Sequence, residues 1–257
     1  MALFELEGVR AAVRRDLGAI TERASTLTAD EWASPSQCEG WTVRDLLAHA
    51  ALAASAQAEA FRRAADGNME LPTYPGAPEM DGSEIVERLA TNNAELDAAL
   101  GGMTPELLEG LVPLPFAVLP AMVAIQIPVL EYAFHRYDLA AALGESAPLA
   151  DDVAGAMLDF APGLMPMLAA RAASDASTAG LAYELVAPLQ TLSFVNRGDG
   201  FAVEPADDGV PTCVVTGDAH ALALYMMGRI DASNEALKVS GTAPEAAADF
   251  KRWFPGP

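Results

Sequence analysis

Lysine is nearly absent: Lys238 and Lys251 are the only two in 257 residues. Lysine and arginine together number 15 against 36 acidic side chains, a formal charge of −21. A surface this acidic repels phosphate backbones and anionic lipid, which argues against nucleic-acid binding and membrane docking. Cysteine is equally sparse. Cys38 and Cys213 form no Cys-x-x-Cys pair and no disulfide ladder, the usage expected in a reducing cytoplasm. The opening MALFELEGVRAAVRRDL lacks a basic start followed by an unbroken apolar stretch, so no signal peptide is expected. One long uncharged run remains, Leu111 to Leu130, but Pro113, Pro115, Pro120, Pro128 and Gln126 interrupt it. It is expected to form a buried loop leading into a helix, not a membrane span, in a soluble protein.

What is present is mostly helix. From Leu3 to Arg23, apolar residues at Leu6, Val9, Val13, Leu17 and Ile20 repeat every three or four positions and make one buried stripe. Thr42, with Asp45 three residues on, carries a capping pattern for a second helix reaching about Arg63. A Pro- and Gly-rich loop spans Gly67 to Gly82. Ser83 then opens a third helix with Ile85, Leu89, Leu96 and Leu100 inward, closed by Gly101-Gly102. A fourth, VLEYAFHRYDLAAAL, stops at Gly144. Four amphipathic helices pack most simply as an antiparallel bundle, expected over residues 1–148. A connecting helix and the small-residue loop RAASDASTAG follow over 149–179.

The pattern then changes. LAYELVAP, LQTLSFVN, FAVEP, TCVVTG and LKVSG read as short strands, while DAHALALYMMGR and PEAAADFKRWF read as helices. Residues 180–257 are therefore expected to form a small α+β domain.

Histidine is scarce enough to be informative: His49, His135 and His220. Glu131, His135 and Asp138 fall within a sector of roughly 60° on one helical face. A carboxylate and an imidazole one turn apart can bind a divalent ion, though such a pair is also common on solvated helix surfaces. Here Leu130, Ala133, Phe134, Leu139 and Ala140 surround the pair, and a buried Glu–His pair needs a partner. His49, on the second helix, is the natural third ligand.

The segment CEGWTVRDLLAHA (Cys38 to Ala50) resembles a signature of the mycothiol-dependent maleylpyruvate isomerase family, and EYAFHRYDLAAALG (Glu131 to Gly144) looks like its second. The C-terminal TCVVTGDAHALALYMMGR and LKVSGTAPEAAADF are similar to its small second domain. The resemblance implies a DinB-like metal-binding four-helix bundle followed by a sterol-carrier-like α+β domain. It implies a zinc-like divalent ion held by His49, Glu131 and His135, with coordination left open for water, thiol or substrate. The low-molecular-weight thiol mycothiol would be co-substrate. Its metal-activated thiolate would add to an activated double bond, permit rotation and leave, converting cis to trans, or else perform a one-way S-transfer.

Two further residues are candidates for the chemistry. Asp138 would accept a ring N–H from a ligand histidine or hold an incoming thiol or water; its alternative is a surface charge or a helix-end pairing with Arg136. Arg229 matches a Gly-Arg pair of the family's second domain and would grip the carboxylate of a small anionic substrate, unless it serves only as a helix-end arginine. Cys38, a possible fourth ligand, is expected to be a buried inert thiol; His220 and Cys213 are expected to be structural. Met157, Met165, Met167, Met226 and Met227 are expected in the core, and Trp32, Trp41 and Trp253 as packing anchors, with Trp41 also seating the loop near the site. The rival readings are metal-assisted chemistry without mycothiol, through Lewis acidity or activated water, and a non-catalytic metal- or ligand-binding protein.

Overall fold

The structure, a computed structural model, describes residues 5–74, 80–172 and 178–255. Parts of the loop after Gly67 and of the loop RAASDASTAG lie outside the described residues. The chain divides into two compact units, 3–149 and 150–257.

In the first unit, α1 (Leu6–Ala24), α3 (Val43–Ala65), α4 (Gly82–Gly101) and α7 (Gln126–Ala142) form a four-helix bundle; α1 and α3 each pack against both α4 and α7. The α1 stripe is buried as its spacing predicts, with Val9, Leu17 and Ile20 fully enclosed. Thr42 and Asp45 close a reciprocal capping box at the start of α3: Thr42 N–H donates to Asp45 Oδ2 at 2.9 Å, and Asp45 N–H donates to Thr42 Oγ1 at 3.3 Å. Beyond the cap, α3 buries a run of alanines (Ala50, Ala51, Ala54, Ala58, Ala60), whose small side chains let neighbouring helices approach closely.

Buried polar pins set the helix register. Tyr132 Oη donates to Gln57 Oε1 at 2.8 Å, joining α7 to α3, and Asn92 Nδ2 donates to the Ala51 carbonyl at 2.8 Å, joining α4 to α3. Asp16, buried on α1, lies 2.8 Å from both Arg15 and Arg136, which ties α7 to α1 one residue beyond His135. Arg136 thus pairs with Asp16 and not with Asp138.

Two short helices, α2 (Ala29–Ala33) and α5 (Pro105–Leu108), fill bends that the helical periodicity does not register. The uncharged segment departs from expectation more. It is not a buried loop but a β-hairpin, β1 (Leu111–Leu114) against β2 (Ala117–Pro120), with Leu111, Phe116 and Val118 exposed. A short helix, α6 (Ala121–Ala124), leads from it into α7. Proline is tolerated here because a two-stranded ribbon has free edges, and Pro128 falls in the first turn of α7, where its missing N–H breaks no helical bond.

The second unit begins with α8 (Asp151–Ala169). This helix, expected as a connector, packs against α9 (Ala219–Met226) and against β4. Pro162 inside α8 cannot donate to the Leu158 carbonyl four residues back, and the Gln190 side chain donates to that oxygen instead, at 3.4 Å. Strands β3 (Ala182–Ala187), β4 (Gln190–Asn196), β5 (Phe201–Ala202), β6 (Cys213–Thr216) and β7 (Lys238–Ser240) form one sheet in the order β5-β4-β3-β6-β7. Only β3 and β6 run parallel. Tyr183, Phe194, Phe250 and Phe254 form its aromatic core, with neighbouring ring centroids 4.5–6.1 Å apart.

Two local expectations need correction. The segment PEAAADFKRWF is not one α-helix but a 3-10 segment, Pro244–Asp249, followed by a single turn, α10 (Phe250–Trp253). Met167 is not core: it lies on the outer side of α8 and is 37% exposed. No helix among the described residues is long and apolar enough to cross a membrane.

Candidate metal centre

The bundle brings three side chains from two distant stretches to one point. His49 projects from α3, and Glu131 and His135 project one turn apart from α7. His49 Nε2 lies 2.8 Å from Glu131 Oε1, and His135 Nε2 lies 3.3 Å from the same oxygen. One ligand atom from each lies within 4.8 Å of the others. The two imidazole rings meet edge-on, centroids 5.1 Å apart.

The outer nitrogens show how the rings are held. His135 Nδ1 is 3.3 Å from Asp138 Oδ2, and Asp138 is fully buried. His49 Nδ1 is 2.7 Å from Tyr74 Oη, and that phenol also donates to the His49 carbonyl at 3.4 Å. A carboxylate is an acceptor only, so Asp138 favours a proton on Nδ1 of His135, while Glu131 faces Nε2 of both histidines, the nitrogen that an ion would take.

Two imidazole nitrogens and a carboxylate oxygen converging on one point can share protons or a single cation. Donors about 2.1 Å from one ion at tetrahedral angles sit about 3.4 Å from one another, close to the separations seen here. Two imidazole nitrogens and one carboxylate oxygen form a donor set that suits zinc and similar divalent ions. The residues fit a metal.

The electrostatics are consistent with that. Burial opposes ionisation of Glu131, but the hydrogen bonds and charges of His135 and His49 outweigh it and hold the carboxyl well below the usual range. Burial likewise opposes a charged His135, yet hydrogen bonds to Asp138, Cys38 and Glu131 draw its pKa well up.

The entry loop supplies two more neighbours. Gly40, at φ +77°, forms the tight turn in which Trp41 N–H donates to the Cys38 carbonyl at 3.0 Å. That turn places the Cys38 thiol 3.6 Å from Asp138 Oδ2. Cys38 is therefore half-buried, not buried as expected, and its thiol donates to the carboxylate that supports His135. Trp41 lies beside the site, as expected of the residue seating this loop. It is 36% exposed, its ring centroid 5.0 Å from that of His49.

Arg229 stands in the second unit, just past the end of α9. Its Nη1 donates to the Met227 carbonyl at 2.7 Å, and Lys251 Nζ donates to the Met226 carbonyl at 3.4 Å. Both satisfy carbonyls at a helix C-terminus. Together with Asp231, Ser233 and Asn234 they line a cavity of about 570 Å³. His220 pairs with Asp151 at 3.1 Å.

Comparison with known proteins decides the family. Residues 13–140 match the mycothiol maleylpyruvate isomerase N-terminal domain, and residues 156–248 match the MDMPI C-terminal domain. The chain belongs to the mycothiol-dependent maleylpyruvate isomerase family. An uncharacterized protein of Mycobacterium tuberculosis, found in strains CDC 1551 and H37Rv, is 30% identical over 144 residues, which cover 56% of this chain and 71% of that protein. The crystal structures of the mycothiol-dependent maleylpyruvate isomerase and of a histidine-to-alanine mutant of it share this fold. Each has a TM-score of 0.68 at 19% identity, covering 92% of this chain and 93% of that one. The family is one of enzymes, and its helical bundle plus α+β unit is the architecture described above.

Sequence reasoning missed Tyr74. It sits in a loop with no periodicity, 25 positions from the histidine it meets. The only available signal was an isolated tyrosine in a Pro- and Gly-rich segment.

Proposed function

We propose that this protein is a metal-dependent isomerase that uses mycothiol as a co-substrate thiol, with one divalent ion, zinc by its donor set, held by His49, Glu131 and His135. The convergence of those three ligating atoms within 4.8 Å, in a chain of this family, carries the reading. A divalent ion bound there lowers the pKa of a thiol and makes thiolate available at neutral pH.

The protein's own groups do the rest. His49, Glu131 and His135 would hold the ion, through two imidazole nitrogens and one carboxylate oxygen. Asp138 keeps the Nδ1 proton on His135, so that Nε2 stays a donor to the ion. The substrate is a small unsaturated acid such as maleylpyruvate, whose cis double bond is converted to trans by reversible thiol addition.

Metal analysis of the purified protein tests this directly. About one divalent ion per chain is expected, most of it lost in His135→Ala, together with cis–trans isomerisation of maleylpyruvate that requires mycothiol. A wild-type protein that binds no ion, or isomerisation indifferent to mycothiol, overturns the proposal.

A further inference from the structure

We infer that Trp41 is a specificity-determining residue for the thiol: its exposed indole face receives the sugar ring of mycothiol when the sulfur is at the site. This rests on the proposed function and deepens it, by naming what recognises the non-reacting part of the co-substrate.

Burial around the three candidate ligands gives the site a direction. His135 and Asp138 are buried, whereas the side chains of His49 and Glu131 keep 26% and 21% of their surface. A small molecule therefore reaches the converging atoms past His49 and Glu131. Two aromatic rings stand against His49. The Trp41 centroid lies 5.0 Å from that of His49 and the Tyr74 centroid 5.8 Å, the rings tilted to the imidazole by 56° and 48°. Both remain open to solvent, Trp41 at 36% and Tyr74 at 37%.

An open indole stands apart in this chain, where Trp32 and Trp253 are buried. Leaving so large an apolar ring in water forgoes the free energy that its burial would give. The loop nonetheless holds it there firmly. Ser36 N–H donates to the Trp41 carbonyl at 2.8 Å, and Val43 N–H donates to the Ser34 carbonyl at 2.8 Å, around the Cys38–Trp41 turn. The next residue, Thr42, caps α3, the helix that carries His49. A ring fixed in this way loses little conformational freedom when a ligand settles on it.

The ligand that fits is a saturated ring bearing hydroxyls. Beyond its acylated cysteine, mycothiol consists of a glucosamine joined to an inositol. Each of these rings has a face of C–H groups, which the negative face of an indole attracts, and a rim of hydroxyls that stay in water or donate to carboxylates. A thiol with an anionic tail, such as glutathione, has no such ring face, and a chain of formal charge −21 repels it.

Acrylamide quenching of tryptophan fluorescence reports mainly on Trp41, because the other two indoles are buried. Saturating mycothiol should shield the wild-type protein from acrylamide, while N-acetylcysteine, which has the thiol but not the rings, should not. In calorimetric titrations, Trp41→Ala should bind mycothiol at least about fivefold more weakly than wild type. Trp41→Phe restores an aromatic face and should recover most of that loss. A smaller weakening in Trp41→Ala, or equal shielding by N-acetylcysteine, overturns the inference. If wild type binds zinc but no mycothiol, the inference falls and the metal site stands. If it binds mycothiol but no zinc, the metal reading falls, and the Trp41→Ala titration still decides what the indole does.

Discussion

The Tyr132 hydroxyl donates to Gln57 Oε1 at 2.8 Å inside the bundle, one residue after Glu131 on α7 and eight after His49 on α3. This bond fixes how far α7 can slide along α3, and hence whether the two halves of the candidate site meet. Tyr132→Phe leaves the buried Gln57 carbonyl oxygen without its donor and should cost about 1–3 kcal/mol of stability. Tyr132→Phe combined with Gln57→Leu should recover part of that loss, because neither partner is then stranded. Urea denaturation of the three variants checks both statements; equal losses in the single and double variants would show the bond to be idle.

Cys38 tests where the reacting sulfur comes from. If mycothiol supplies it, the protein thiol serves only as a weak donor to Asp138, and serine offers a hydroxyl in the same place. Cys38→Ser should keep zinc affinity and mycothiol-dependent turnover within about threefold of wild type. Abolished turnover with zinc still bound would make Cys38 itself the nucleophile.

Lys251 gives stability a pH dependence of known sign. Burial, with the nearby Arg229 cation adding to it, lowers its pKa to about 8 from an ordinary 10.5. Asp231 also lines the cavity, its carboxylate already accepting from Ser233 N–H at 2.8 Å. The unfolded chain therefore holds the lysine proton more tightly than the folded one, and this group's contribution to stability rises with pH between about 8 and 10.5. Burial raises the Cys213 thiol from 9 to about 11, a change of opposite sign over that higher range. Lys251→Met should accordingly be more stable than wild type at pH 7, with the gap narrowing as pH climbs. Parallel melting curves of the two proteins from pH 7 to 9 would refute it if the gap stayed constant.

Gly241 is required by the backbone. Its φ is +118°, and a Cβ there would lie 2.5 Å from the Thr212 carbonyl oxygen, beside the β6–β7 pairing. Gly241→Ala should cost about 2 kcal/mol or more, seen as a lowered melting temperature. Gly144→Ala also carries a positive φ, +68°, but meets nothing within 4 Å, and should cost less.

By itself the sequence determined whatever one stretch of backbone repeats. The α1 stripe, the capping box of Thr42 and Asp45, and the phasing of Glu131, His135 and Asp138 all follow from a helical turn of about 3.6 residues, which needs no distant partner. The same local logic failed where partners decide the outcome. Leu111 to Pro120 pairs as a hairpin because two extended stretches find each other across a turn, and Met167 faces outward because of how α8 is laid down. The site needed the tertiary structure most. His49 meets Glu131 across 82 positions and Cys38 meets Asp138 across 100, while Tyr74 arrives from a loop without any period. Such meetings depend on how helices are set against one another by buried groups such as Gln57, Asn92 and Asp16. That arrangement belongs to the packed chain as a whole and is written in no single segment.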